Sequence, residues 1–199
     1  MNAKQIDRFF RIFSRELGEE ASVILTGAGA GALWGRIRPS FDVDFEVTLR
    51  RKNPALWSKV ERAAAIASQE TGIQANFADN IDRWGMISLL DYRRHRVAYK
   101  HFGPLKLELM DPVYWSIGKM TRYLSPDVDD VIEVFRRRRV AWPHATAVWG
   151  KALKKSPRST ALHLFRQQVE HFIRQHGPSA WGKTFSPEEA IRSFHAASR

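Results

Sequence analysis

The chain contains no cysteine, so neither a disulfide framework nor a thiolate-ligated zinc site is available to it. No apolar run approaches the roughly 18 residues that a membrane-spanning helix needs. The amphipathic opening MNAKQIDRFFRIF holds no apolar stretch of signal-peptide length. A cytoplasmic protein without membrane attachment is therefore the expectation. A Walker-type G-x-x-x-x-G-K-[ST] loop, a G-x-S-x-G elbow and an H-E-x-x-H pair are all missing, which argues against P-loop, α/β-hydrolase and zincin chemistry. The seven histidines are scattered, and neither repeats nor low-complexity tracts occur. Acid is also scarce relative to base. Asp and Glu number 21 against 32 Lys and Arg, for a formal net charge of +11. A balance that basic suggests a polyanionic partner, nucleic acid or an acidic surface; the plainer alternative is solubility. With 44% hydrophobic residues, the chain can still bury a sizeable core.

Against this background one short stretch stands out. Residues 41–48 alternate, with Asp42, Asp44 and Glu46 on one side and Val43, Phe45 and Val47 on the other. Period-two alternation predicts a strand with one buried face. Residues two apart point the same way, so Asp42 and Asp44 stand side by side. Adjacent carboxylates repel unless a cation lies between them, and Mg²⁺ is commonly held by one or two carboxylates plus substrate phosphates. A solvated polar face on an edge strand is the alternative.

The rest of the chain surrounds this strand with helices. Residues 4–17 carry Ile6, Phe9, Phe10, Phe13 and Leu17 at helical spacing, closed by Gly18. Residues 21–26 read as a short buried strand. Gly27 then opens a glycine-alanine run that lacks the third glycine of a dinucleotide fingerprint, since position 32 is Ala32. The run reads as a tight turn and a short helix. Gly27, at the strand end, suits close approach of a phosphate to backbone N–H groups, and Gly29 and Gly31 suit close packing. Asn53 and Pro54 open a helix that ends at Gly72. Strands are expected at 73–77, 86–90, 93–101 and 105–110. The last of these alternates too and offers Glu108 as a third carboxylate for a metal, or as a solvent-facing neighbour of Lys106. Asp111-Pro112 starts the helix that carries Lys119. Ser125-Pro126-Asp127 is read as the cap of another, which contains Asp130 and runs into Arg136-Arg137-Arg138-Arg139, a positive collar. Beyond it come helices at 143–154, 158–176 and 187–197, the second ending at a Gly177-Pro178-Ser179 joint. Ser186 and Glu189 form a capping-box pattern. The fold class is α+β: a mixed β-sheet flanked by helices over residues 1–140, followed by a basic α-helical part over 141–199.

These pieces resemble the nucleotidyltransferase superfamily with the DNA polymerase β-like core, and within it the small bacterial enzymes of the abortive-infection and toxin–antitoxin group. In that group a strand ending in Gly-Gly or Gly-Ser is followed by R-x-[ST]-x-D-x-D. Here Leu25-Thr26-Gly27-Ala28 is similar to the first part, with Ala28 departing from it, and Arg38-Pro39-Ser40-Phe41-Asp42-Val43-Asp44 fits the second. Lys119 with Asp127-Val128-Asp129-Asp130 is similar to the later helical lysine and D-x-x-D. The resemblance covers roughly residues 20–135. It implies that Asp42 and Asp44, with Glu108 as the candidate third ligand, hold Mg²⁺ or Mn²⁺ against the phosphates of a nucleoside triphosphate. It further implies that Gly27 and Ala28 cradle those phosphates and that Arg38 and Ser40 support them. Lys119 would contact phosphate or activate the acceptor hydroxyl, oriented by Asp127 or Asp130. The acceptor would be an RNA, such as a tRNA end, or a protein. RNA would be gripped by residues 93–96, the arginine collar and Lys151, Lys154 and Lys155. The chain would serve as a toxin or phage-defence factor with an antitoxin protein as partner. The competing expectations are a catalytically inactive nucleic-acid-binding protein on the same fold and a protein-interaction partner.

Overall fold

In a computed structural model of the chain, residues 1–35, 41–51 and 53–199 are described. Among them the fold is α+β, with a mixed five-stranded sheet and eight α-helices. In chain order these are α1 (Ala3–Leu17), β1 (Ala21–Thr26), α2 (Gly27–Trp34), β2 (Asp42–Leu49), α3 (Pro54–Thr71), β3 (Gln74–Ala78), β4 (Arg96–Phe102), β5 (Leu105–Met110), α4 (Pro112–Arg122), α5 (Ser125–Arg138), α6 (Trp142–Lys155), α7 (Thr160–Trp181) and α8 (Pro187–Ser198). The described residues divide into two compact units. One holds α1, the sheet, α2 as far as Leu33, and α3. The other holds α4 to α8 with residues 82–95.

In the first unit the strand order is β3-β2-β1-β5-β4. β1 runs antiparallel to β2 and parallel to β5, β2 runs parallel to β3, and β4 and β5 form an antiparallel hairpin. Alternation gives the sheet one apolar face. Val23, Leu25, Val43, Phe45, Val47, Leu105, Leu107 and Leu109 are all buried there. Phe45 is its centre, with ring centroids 5.3 Å from Phe10, 5.6 Å from Phe13, 6.1 Å from Phe9 and 5.5 Å from Phe77. α1 therefore lies on this face. α3 joins it through Trp57, 5.9 Å from Phe77. The helix ends follow local chemistry. Asn2 and Gln5 form a reciprocal capping box, Asn53 accepts from the Ala55 N–H ahead of Pro54, and Gly18 and Gly72 close α1 and α3 in left-handed backbone.

The second unit is organised around Trp149, which is fully buried. Its ring lies 5.9 Å from Phe135, 5.7 Å from Phe172 and 6.3 Å from Trp181. Its Nε1 donates to Ser116 Oγ at 2.9 Å, which satisfies the one polar atom of the indole.

Four sequence expectations change. The unit boundary falls after β5, so α4 and α5 belong with the helical tail and not with the sheet as a break near residue 140 implied. Residues 86–90 form no strand. The Leu89 N–H donates to Asp82 Oδ1, the Ser88 N–H donates to Ser156 Oγ, and Leu90 adopts a left-handed φ of 59°. Side chains thus supply the partners that a ladder would have supplied. α5 starts from Leu124 without a side-chain cap, because the chain enters the helix one residue before Ser125 and leucine carries no acceptor for the first N–H groups. α7 continues through Gly177 and Pro178 to Trp181. A Cβ on Gly177 would sit 2.9 Å from Phe185 Cδ1, so the bare glycine admits Phe185. The extra turn delivers Trp181 against Phe135, Trp149 and Phe185. That packing outweighs the hydrogen bond lost at Pro178.

Replacing Phe45 by Ala is expected to destabilise the protein by about 3–5 kcal/mol, read as a lower urea midpoint with an unchanged slope. A loss below about 1 kcal/mol would show that the aromatic cluster does not organise this face.

Candidate active site

The polar face of the sheet carries the acidic residues picked out by alternation. Register sets its rows. Across one row stand Asn76 of β3, Asp44 of β2 and Thr26 of β1. The next row has Glu46, Ile24 and Glu108. Asp42 and Asp44 are both partly accessible, whereas Glu46 is fully buried and accepts the Ile81 N–H at 3.1 Å. Asp44 is fixed from two sides. Asn76 Nδ2 donates to its Oδ1 at 3.0 Å. On the other side lies Gly27, the first residue of α2, with φ of 56°. A Cβ built there would sit 2.7 Å from Asp44 Cγ and closer still to Oδ2. Only glycine fits, for two reasons: the backbone is left-handed, and the carboxylate occupies the side-chain space.

The arrangement places a carboxylate at the N-terminus of α2. The first backbone N–H groups of a helix are not bonded within it, and they favour negative charge. Satisfying that end is a structural role Asp44 can fill by itself. Asp42, Asp44, Gly27 and Ala28 thus come together at one end of β1 and β2. Arg38 and Ser40, the other expected phosphate contacts, lie outside the described residues.

Glu108 does not join them. β1 lies between its strand and β2, and it is paired to Ile24, one row away from Asp44. Crossing two strand spacings is about 10 Å. Its carboxylate is instead held by Arg96 Nε at 3.0 Å, Lys106 Nζ at 2.6 Å and Ser22 Oγ at 3.0 Å, and is almost fully buried. The expectation of a solvent-facing glutamate is corrected: Glu108 is the hub of a buried local ion-pair network and does not stand beside Asp42 and Asp44 as the third ligand expected there. No group of three His, Asp or Glu side chains arranged to hold a metal occurs among the described residues.

Lys119, Asp127 and Asp130 do meet, in the second unit. Lys119 is 3% exposed, and its Nζ lies 2.9 Å from Asp127 Oδ1 and 2.8 Å from Asp130 Oδ2. Arg122 adds two hydrogen bonds to Asp127, at 2.7 and 3.1 Å. Burial pushes the Asp127 carboxyl up, but the hydrogen bonds from Arg122 and Lys119 and their charges prevail and hold it below its ordinary value. The pairing that the family resemblance implied is present. Its geometry is that of a buried tie between α4 and α5, with the ammonium enclosed by its two acids.

Asn76 was not foreseen as a site residue. The one signal for it in the sequence is the alternation of Gln74 and Asn76 with Ala75 and Phe77 along a short strand. Set against models of protein families, curated proteins and solved structures, the chain matches none in any of the three comparisons.

Two outcomes follow. Gly27→Ala is expected to lower stability by at least about 1 kcal/mol, because it combines left-handed strain with a steric clash; urea unfolding reads it, and a variant as stable as the wild type would remove Asp44 from this position. Lys119→Met is expected to cost about 3–5 kcal/mol at pH 7 by removing the buried ammonium that Asp127 and Asp130 share. Asp127 has a depressed pKa in the folded protein, so its stabilisation is present above the ordinary value of 3.8 and is lost as pH falls below it. In Lys119→Met the Asp127 carboxyl loses the Lys119 hydrogen bond and charge that help hold it down, so it takes up a proton more readily and the gap to wild type should narrow between pH 7 and pH 4.5. A gap of constant size would show that charge burial is not its source.

Proposed function

We propose that this chain is a nucleotidyltransferase that uses Mg²⁺ or Mn²⁺ to move a nucleoside monophosphate from a nucleoside triphosphate to an RNA, a tRNA end in the narrowest form. In this proposal it is the toxin of a toxin–antitoxin or phage-defence pair. The observation that carries the proposal is the fit of the Asp44 carboxylate against the bare Cα of Gly27, with Asp42 beside it on β2. Two adjacent carboxylates next to the start of a helix match what a metal-bound triphosphate requires: hard oxygen ligands for the ion and backbone N–H groups for the phosphates.

Asp42 and Asp44 would hold the ion, and a two-carboxylate set is enough for Mg²⁺ when substrate phosphates complete it. When bound, the ion neutralises phosphate charge and aligns the attacking and leaving oxygens. Asn76 keeps Asp44 in one rotamer. Gly27 and Ala28 present the first turn of α2 to the phosphates. Lys119 acts here by tying α4 to α5 and so supporting its own unit, since its ammonium is already shared by two acids. The net charge of +11 suits a nucleic-acid acceptor.

A second reading, a nucleic-acid-binding protein without catalysis, draws on the engagement of Glu108 and Lys119 in local ion pairs. One experiment separates the two. The purified protein is incubated with each α-labelled nucleoside triphosphate, Mg²⁺ and total RNA. Wild type is expected to label RNA, Asp44→Asn to abolish labelling, and Asn76→Ala to reduce it roughly 10–100-fold. Label on protein alone would replace the acceptor. Absence of both transfer and triphosphate binding, with RNA binding indifferent to Asp42→Ala, would leave the second reading standing.

A further inference from the structure

Four arginines close α5, and two of them have evident local roles. Arg137 pairs with Glu133, and the Arg138 guanidinium lies over the Trp34 ring at 4.8 Å. Arg136 and Arg139 are exposed and pair with no acid among the described residues. Basic residues suit the C-terminus of a helix, but that does not explain the shape beside them. Arg136 and Arg139 border a cleft of about 540 Å³ whose other walls include Trp142, Trp181 and Val140. The volume falls within the range of small-ligand sites.

The walls differ in kind. Trp181 is anchored: its Nε1 donates to the Val140 carbonyl at 3.0 Å, and its ring packs 4.8 Å from Phe185. Trp142 is half-buried and meets Phe185 edge-on at 6.1 Å. Its indole N–H donates to no described residue, which is unusual for a tryptophan set in a rigid aromatic cluster. Arg139 holds the left-handed position that ends α5, with φ of 50°. Glycine takes that position at little cost, and a side chain is strained there. The strain brings a guanidinium to the cleft that glycine would not.

We propose that this cleft binds an unpaired stretch of polynucleotide, with one base stacked on Trp142 and flanking phosphates on Arg136 and Arg139. An accessible indole beside unpaired guanidinium groups complements a base beside its phosphates, and every base has a face to stack. A duplex keeps its bases stacked on one another and offers phosphates alone. The proposal rests on the RNA-acceptor reading for its biological sense and locates where an unpaired segment is gripped. The binding itself needs neither metal nor triphosphate.

Fluorescence anisotropy of end-labelled oligouridine, the matching oligothymidine and a blunt duplex of equal length, without metal or triphosphate, tests it. Wild type is expected to bind the single strands more tightly than the duplex. The RNA and DNA arms decide which backbone is preferred. Trp142→Ala should weaken single-strand binding about tenfold, with Trp142→Phe restoring most of it. The exposed double variant Arg136→Ala/Arg139→Ala should lower the salt slope of log K by about 1.4, roughly 0.7 for each phosphate contact. No single-strand preference, or wild-type binding and slope in folded variants, would overturn the cleft. Because no transfer is involved, loss of transferase activity with intact oligonucleotide binding would count against the enzyme proposal alone, and the reverse against the cleft alone.

Discussion

The first unit depends on a steric constraint at one atom. The Asp44 carboxylate occupies the space in which residue 27 would carry a side chain. This forces glycine at the β1–α2 junction, brings the start of α2 against β2, and places a negative charge where helix N–H groups point. The antiparallel pairing of β1 with β2 sets Thr26 opposite Asp44 and so keeps the junction at that carboxylate. Asn76, supplied by β3 in parallel register with β2, holds the opposite oxygen. Sheet topology, turn geometry and carboxylate position are therefore one arrangement.

Buried charge is handled differently elsewhere. Glu108 and the Asp127–Lys119–Asp130 trio are nearly inaccessible, and Glu108, Asp127 and Lys119 are each met by more than one partner. Isolated buried charge is expensive, and its cost is offset only when opposite charges and hydrogen bonds surround it. Such groups have little capacity left for a substrate. Asp42 and Asp44 are partly accessible, and it is that accessibility, more than the count of carboxylates, that separates a candidate site from a structural tie. The same contrast holds among the basic residues. Arg137 and Arg138 have local partners, while Arg136 and Arg139 face a cleft walled by tryptophan.

Much of the fold was legible because local chemistry and tertiary packing agree. α1, β1, β2, α3 and β5 fall where periodicity and capping residues placed them, since each buries one face against an unambiguous core. Residues 86–90 misled because apolar spacing does not reveal that side chains of Asp82 and Ser156, one seven residues and the other 68 residues away, take the backbone N–H groups. Gly177-Pro178 misled because helix-breaking propensity is a local cost of a few kcal/mol, and the burial of Trp181 against three aromatic rings exceeds it.

By itself, the sequence determined that Asp42 and Asp44 share a strand face and that a glycine stands where β1 gives way to a short helix, both consequences of period and short-range spacing; the pairing of Lys119 with Asp127 or Asp130 was implied by the family resemblance alone. Tertiary structure alone decided that Glu108 sits a row and two strands away from Asp44, that Asn76 clasps Asp44, and that Arg139, Trp142 and Trp181 border one cleft. Those relations depend on strand order and helix packing, which bring together Asp44 and Asn76 from 32 positions apart and Arg139 and Trp181 from 42, and local periodicity carries no record of which distant segments will meet.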